Sequence, residues 1–242
     1  MSSEISSPHA APLPSFRALL GGALRIYRTH FVALMGFAGW LALPLVLHVV
    51  LRITFGDNDA TDTALLVVSG AGFAIGTWSY CSIVRFAAHV HTTGHAPDQV
   101  PDVRKELFPT FLAFAIYMLV VLVGFVAILP GILFAVWFVF APLITTLEKR
   151  NVFVALGESR MLVRGRFFRI LGRLFGMDLV FLFAYLVIVV VIDLALGYDF
   201  AHLDITAPLP VPMDIVLGTF EIVAVPIVTV FHTLLYLGAK NR

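Results

Sequence analysis

The stretch "APLITTLEKRNVFVALGESRMLVRGRFFRILGR", from Ala141 to Arg173, decides how the fold is interpreted. An apolar run ends at Glu148, an arginine-rich segment with apolar residues at helical spacing follows, and the chain then becomes apolar again. Apolar runs that flank a short basic segment are typical of two membrane helices joined on the cytoplasmic side. The alternative interpretation of the same segment is a binding site for a ligand or a partner.

The composition excludes a soluble domain. The chain has 242 residues, of which 60% are hydrophobic and 13% are charged, and its mean hydropathy is +0.97. A soluble domain carries roughly 25% charged residues. The apolar segments are long and unbroken, without the alternation of barrel strands, so the predicted fold class is an all-α polytopic membrane protein. The single cysteine, Cys81, excludes an internal disulfide, and a net charge of +1 gives no argument for nucleic acid as a partner.

The apolar runs predict six transmembrane helices. The third and fourth runs meet at Pro130-Gly131, a turn dipeptide that predicts a tight hairpin. Residues 1–14, rich in Ser, Pro and Ala, are expected to form a disordered cytoplasmic tail, and residues 15–242 a single six-helix membrane domain. The predicted spans are approximately Val32 to Leu51, Ala64 to Val84, Thr110 to Leu129, Ile132 to Leu147, Ile170 to Leu196, and Met213 to Leu237.

Positive charges lie almost entirely on one side of these spans. Of the 16 Lys and Arg residues, only Arg52 falls on the other side. Since cytoplasmic loops carry an excess of Lys and Arg, both termini are expected in the cytoplasm. The segments on the opposite side are acidic and contain Asp57, Asp59, Asp62, Asp199 and Asp204.

Two cytoplasmic segments resemble each other and indicate a threefold hairpin repeat. "FRALLGGALRIYRTHFVAL" begins at Phe16 and "FVALGESRMLVRGRFFRIL" at Phe153, and they share apolar residues at matching positions. A shorter version begins at Asp102. The pattern predicts three units, each an amphipathic segment followed by a helical hairpin.

The arginine-rich segment fits an amphipathic helix at the membrane interface. With 3.6 residues per turn, Val152, Leu156 and Val163 share one face, and most of the arginines lie off it. Such arginines are placed for anionic headgroups, while Arg160 falls on the apolar face and has to snorkel. The alternative is a helix that only sets topology. The predicted lipid- or partner-binding residues are Arg160, Arg164, Arg166, Arg169 and Arg173.

A longer motif surrounds this segment, "PGILFAVWFVFAPLITTLEKRNVFVALGESRMLVRGRFFRILG". It resembles a family of bacterial six-helix membrane proteins related to the membrane domain attached to some glycerophosphodiester phosphodiesterases. The resemblance implies an all-helical protein of the bacterial inner membrane, without the phosphodiesterase activity, which belongs to a separate soluble domain. The residues that carry it are Pro130, Gly131, Pro142, Glu148, Ser159 and Gly165.

These motif residues also have a physical interpretation as structural elements. Pro142 is expected to bend the fourth span by removing a helix hydrogen bond. Glu148, where that span leaves the bilayer, is expected to pair with a nearby Arg or to cap the next helix. Gly157 and Gly165 are expected to allow close approach of helices.

Acidic residues within spans are candidates for chemistry, because charge inside a membrane is costly. Asp178 and Glu221 lie on consecutive antiparallel spans, so the pattern predicts that they can approach each other near mid-membrane, as a pair that shares a proton or is neutral. The functional interpretation is a small transporter coupled to protons or cations. The structural interpretation is a protonated acid bonded to a neighbouring helix, or one that reaches water.

The histidines His89, His91 and His95 form a candidate metal site, with Asp98 as a further ligand. On a helix, His89 and His91 lie on roughly opposite sides, so convergence requires an unwound segment. The chain shows no nucleotide-binding or catalytic motif and no cofactor is predicted. The predicted function is a non-enzymatic inner-membrane protein that associates with anionic lipids or serves as an accessory subunit of a larger complex or a homo-oligomer.

Overall fold

The computed structural model describes residues 13–56, 58–196 and 210–240, without the side chains of Asp193 and Leu196. Within these residues the regular structure is helical and contains no strand. The predicted tail residues 1–12, together with Asp57, Asp199, Asp204 and Arg242, lie outside the described part of the chain. The α-helices are α1 (Phe16–Thr29), α2 (Phe31–Ala38), α3 (Ala42–Phe55), α4 (Asp59–Thr93), α5 (Arg104–Phe125), α6 (Leu129–Phe138), α7 (Ala141–Glu148), α8 (Val152–Val163), α9 (Phe167–Leu196) and α10 (Val211–Lys240).

Six of the described segments are long and apolar enough to span a membrane, which confirms the all-α polytopic fold. The helices α2 and α3 form the first span together with a short 3₁₀ turn at Gly39–Leu41, and α6 and α7 form the fourth. The second span continues to Thr93, past the predicted end near Val84, since no helix-ending residue occurs before Gly94, which adopts a left-handed φ of +80°. The six segments are Phe31–Phe55, Asp59–Thr93, Arg104–Phe125, Leu129–Glu148, Phe167–Ile192 and Val211–Lys240.

The predicted hairpin between the third and fourth spans is present, but its turn lies earlier than expected. The chain reverses at residues 126–128, where Ile128 has a φ of +45°, and Pro130 occupies the first turn of α6, where its missing N–H is not needed. Gly131 faces α5 so closely that an added Cβ would lie 2.8 Å from the backbone nitrogen of Phe125. The Pro-Gly pair therefore starts a helix and lets it pack closely, rather than forming the turn.

The amphipathic helix α1 packs against α10. Leu19 and Ala23 are buried, and the rings of Phe16 and Phe231 lie 5.7 Å apart. A Cβ on Gly22 would lie 3.1 Å from the side chain of Leu234. The apolar face of α1 thus belongs to the core of the bundle.

The second amphipathic segment is interrupted. The Asn151 side chain accepts a hydrogen bond from the backbone N–H of Phe153 at 3.1 Å and caps α8. α8 ends at Val163, and Gly165, with a φ of +77°, turns the chain into α9. Gly165 is therefore a turn residue, which corrects the expectation that it serves close helix approach; around Gly157 no atom lies within 4 Å of an added Cβ.

The threefold repeat is incomplete in the described residues. Separate helices, α1 and α8, precede the first and third hairpins. No separate helix precedes α5, because the segment that begins at Asp102 runs directly into that span, and Asp102 accepts a hydrogen bond from the backbone N–H of Arg104 at 3.1 Å.

The bundle has two chemically different ends. We call the end that carries α1, α8 and the last turn of α10 the basic end, and the opposite end, with Arg52, Asp59 and Asp214, the acidic end. Along the first hairpin, α4 packs on α3 through glycine: a Cβ on Gly72 would lie 3.2 Å from Pro44. Gly72 therefore packs against another helix of the same chain.

Candidate functional site

The Ser159 side chain forms hydrogen bonds with backbone groups at the break that precedes Pro142 in the fourth span. Pro142 has no N–H, and the helix is interrupted between Phe138 and Ala141. The buried hydroxyl of Ser159 donates to the carbonyl of Trp137 at 2.7 Å and accepts from the backbone N–H of Phe140 at 3.2 Å. The Pro and the Ser of the motif therefore form one unit that joins α8 to the broken span.

The turn after α7 connects two other helices. The carboxylate of Glu148 accepts from the Tyr236 hydroxyl and from Nζ of Lys240 at 2.8 Å, both on α10. Glu148 thus pairs with a lysine and a tyrosine instead of the expected arginine or helix cap. The next residue, Lys149, has a φ of +56° and lies 3.4 Å from Glu106 of α5. The two residues together fix α7 against α5 and α10.

The buried Glu106 was not singled out from the sequence. Its side chain is 3% exposed, and its Oε1 atom lies 2.7 Å from Arg85. Its Oε2 atom is buried without a hydrogen-bond partner. The sequence signal for this site is an acid among basic residues, one helical turn before Thr110.

Hydroxyl groups continue this cluster into the membrane. The Thr110 hydroxyl lies 3.2 Å from that of Thr145 and 3.0 Å from that of Thr146. The Cys81 sulfur lies 3.7 Å from Thr146. Thr145 and Thr146 both donate to the carbonyl of Pro142 at 2.8 Å, so the residues after the proline satisfy its carbonyl.

The structure divides the five predicted arginines into two groups. Arg166 is buried and donates to the carbonyl of Ala239 at 3.3 Å. Arg173 donates through Nε to the carbonyl of Pro14 at 2.7 Å and also to Leu13 at 3.2 Å. Arg173 thus binds the segment that precedes α1, and Arg166 binds the last turn of α10.

Arg160, Arg164 and Arg169 are exposed at the basic end. The guanidinium carbon of Arg160 lies 4.5 Å from the centre of the Trp137 ring, so this side chain stacks on an aromatic face where snorkelling was expected. The neighbouring Glu158 pairs with Arg150 at 3.6 Å and not with the three exposed arginines. A groove of about 620 Å³ is lined by Trp137, Gly157, Arg160, Met161 and Arg164, and we call it the basic-end groove.

The acids Asp178 and Glu221 are not brought together. Asp178 lines a cavity of about 720 Å³ with Tyr117 and His232, whereas Glu221 lines a different cavity of about 700 Å³ between α4 and α10. Asp178 lies about 16 Å along α9 from the basic end, and Glu221 about 15 Å along α10 from the acidic end, at 1.5 Å per residue. The two carboxyl groups therefore cannot share a proton in this fold, because they lie at different depths.

Arg52 pairs with Asp214 at the acidic end. The arginine side chain is 10% exposed and the aspartate 17%, and Nε2 of His48 lies 4.0 Å from the same carboxylate. This contact joins α3 to α10. The only positive residue that the charge pattern places at this end thus has an acidic partner.

The three candidate metal-binding histidines do not converge. His89 and His91 lie on α4, His95 follows it, and all three are exposed. Nδ1 of His95 lies 3.0 Å from the carbonyl of Thr93. Within residues 13–56, 58–196 and 210–240, no group of three His, Cys, Asp or Glu side chains is placed to hold a metal ion.

Fold and site define the class of the protein as an all-α, multi-pass integral membrane protein with six spans in its described residues. Comparison with known protein families, curated proteins and solved structures found no match.

Proposed function

We propose that this chain is a non-enzymatic integral protein of the bacterial inner membrane that binds anionic lipid through its basic end. The observation that carries the proposal is the basic-end groove, which the exposed Arg160 and Arg164 line together with Trp137. Arg160 lies in the last turn of α8, and the backbone N–H of Arg164, just past the end of that helix, donates to the carbonyl of Arg160 at 3.0 Å. Because both side chains line the same groove, we expect their guanidinium groups to bind one phosphate headgroup there.

The residue types of the groove suit a lipid phosphate. Arginine binds phosphate with two parallel hydrogen bonds, and tryptophan is enriched where a membrane meets water. Stacking on Trp137 holds Arg160 in one orientation, so less side-chain freedom is lost when the headgroup binds.

Exposed apolar side chains on α8 and at the start of α9 support a position in the headgroup layer. Phe153 is 73% exposed, Met161 64% and Phe168 82%. Contact between such large apolar side chains and water is unfavourable. In a helix at the membrane interface, they lie at the boundary with the acyl chains while the cations lie among the headgroups. The apolar side chains thus suit the acyl-chain side of the interface, and the arginines suit the anionic headgroups.

The charge asymmetry supports a cytoplasmic position for the basic end. Cytoplasmic loops carry the excess of Lys and Arg, and anionic lipids attract such basic segments. The assignment to a bacterial inner membrane rests on the resemblance of the motif from Pro130 to Gly172.

The test is lipid retention by two charge-matched double variants. Wild-type protein in nanodiscs of phosphatidylcholine with a minor fraction of phosphatidylglycerol is released and weighed by native mass spectrometry. We expect bound phosphatidylglycerol in the wild type, and an affinity lowered roughly 10- to 100-fold in Arg160→Gln/Arg164→Gln, since each basic residue near an anionic surface contributes about 1 kcal/mol.

The matched control is Arg104→Gln/Lys105→Gln, which removes the same charge from exposed residues at the same end of the bundle. We expect this variant to keep its lipid. Equal lipid loss in both double variants would show that lipid binding depends only on the total charge of the basic end, and would contradict the proposal. Stoichiometric extra mass from another polypeptide in place of lipid would also contradict it, and would make the groove a docking site for a subunit.

A further inference from the structure

Two cavities that share a wall lie between α4, α9 and α10, and α5 also lines the first of them while α3 lines the second. The central chamber, of about 700 Å³, extends from Leu41 and Glu221 towards His232 and has mainly apolar walls. The acidic-end cavity, of about 480 Å³, is lined by His48, Ser69 and Asp214 among others. Both volumes fall within the roughly 300–1,000 Å³ of small-molecule sites. The residues that line both cavities are Leu41, Gly72, Tyr185, Glu221 and Val225.

The central chamber opens towards lipid between α5 and α9. Met118 of α5 and Leu182 of α9 both line it, and their side chains are 53% and 51% exposed. These two helices do not pack extensively on each other, so the gap between them leads sideways into the bilayer. A ligand that enters by this route comes from the membrane and carries an apolar portion.

Glu221, which is exposed, lines both cavities. Among the described residues it forms no hydrogen bond or ion pair, whereas the nearby Asp214 is already paired with Arg52. Glu221 lies about 10 Å deeper than Asp214 along α10. A charged carboxylate at this depth is costly unless a cation pairs with it, so a ligand with a cationic donor suits the site.

We propose that the joined cavities bind a membrane amphiphile with a primary ammonium headgroup. The ammonium group pairs with Glu221 at the entrance to the acidic-end cavity, and the alkyl chain fills the central chamber. This site is separate from the basic-end groove. Ligand binding at the two sites can be tested independently, because the groove selects a phosphate and this cavity selects an ammonium.

The first experiment separates headgroup from chain. Purified protein in a neutral detergent is titrated with dodecylamine, dodecanol or methylamine, and bound ligand is measured by native mass spectrometry. We expect one dodecylamine per chain and weaker binding of the other two probes. Equal binding of dodecanol would overturn the role of Glu221, and equal binding of methylamine would overturn that of the chamber. Phosphatidylethanolamine against phosphatidylcholine of the same chains then tells whether the ammonium comes from a phospholipid or a free amine.

Two pairs of variants locate the site. Glu221→Gln should weaken dodecylamine about 10-fold or more, since a hydrogen bond to a charged group is worth at least that ratio. Asp178→Asn, the same change beside another cavity, should leave the affinity unchanged. Leu182→Trp should block the chamber, while Leu186→Trp, one turn away, 50% exposed and outside the chamber wall, should not. Unchanged binding in both Glu221→Gln and Leu182→Trp would overturn the proposal.

Discussion

A single hydroxyl group decides how α8 is attached to the bundle. Ser159 is fully buried and bonds to both sides of the break before Pro142, at Trp137 and Phe140. Without it, a carbonyl and an N–H would remain unpaired in a region that water does not reach. The spacing of Pro142 and Ser159 in the motif is thereby given a physical cause.

Replacement of this hydroxyl tests the cause. Ser159→Ala should lower the free energy of unfolding by about 1–3 kcal/mol, because it removes two hydrogen bonds to buried backbone groups. The matched control is Ser82→Ala, since Ser82 is equally buried but donates only to the carbonyl of Trp78 in its own helix. Both variants are measured by thermal unfolding in detergent. A loss in Ser82→Ala as large as that in Ser159→Ala would contradict the account.

Single residues were also the least predictable part of the site. The sequence pattern identified five arginines as one group, yet Arg166 and Arg173 donate to backbone carbonyls while Arg160 and Arg164 stay exposed. Every residue has a backbone carbonyl, so no residue type in the sequence marks such an acceptor. Glu106 was missed for a related reason: its partners are Arg85 on α4 and Lys149 in the turn after α7, both distant in sequence.

At the scale of elements, the α5–α6 hairpin depends on two glycines that face each other. A Cβ on Gly124 would lie 2.9 Å from the backbone of Gly131, and a Cβ on Gly131 would lie 2.8 Å from that of Phe125. Backbone atoms cannot move aside as a flexible side chain does. The distance between these two helices is therefore set by the absence of side chains.

Gly131→Ala should destabilise the hairpin by about 1–3 kcal/mol through overpacking. The control is Gly70→Ala, because Gly70 lies in α4 with no atom within 4 Å of an added Cβ. That change should be neutral or raise stability by up to about 1 kcal/mol, since alanine favours a helix. Thermal unfolding of both proteins distinguishes the outcomes, and a stable Gly131→Ala would show that the helices can separate without loss.

Elements were predicted to the extent that local patterns determine them. Long apolar runs gave the six spans, and turn residues gave the hairpin, although the turn itself lies at residues 126–128. The position of α1 was not predicted, because an amphipathic face looks the same whether it meets lipid or another helix. Its contact with α10 joins residues more than 200 positions apart, such as Phe16 and Phe231.

At the scale of the whole molecule, charge and cavity are distributed in a way that suits a lipid environment. Exposed arginines gather at the basic end, the opposite end carries Asp59, Asp62 and Asp214, and the chamber between the two ends opens sideways. The charge distribution was visible in the sequence, whereas the cavities arise from helix spacing and were not. Asp178 and Glu221 illustrate the difference: both were chosen as costly acids, but only the fold shows that they line separate cavities.

The central claim is that six spans separate a cytoplasmic basic end from an external acidic end. It is tested most directly by single cysteines in a Cys81→Ala background, treated in intact and permeabilised cells with a membrane-impermeant thiol reagent. The exposed positions Ala60 and Val126 represent the acidic end, and Thr29 and Ala96 the basic end. The account predicts that Ala60→Cys and Val126→Cys are labelled in intact cells, and that Thr29→Cys and Ala96→Cys are labelled only after permeabilisation. Labelling of Ala60→Cys and Ala96→Cys from the same side would contradict it.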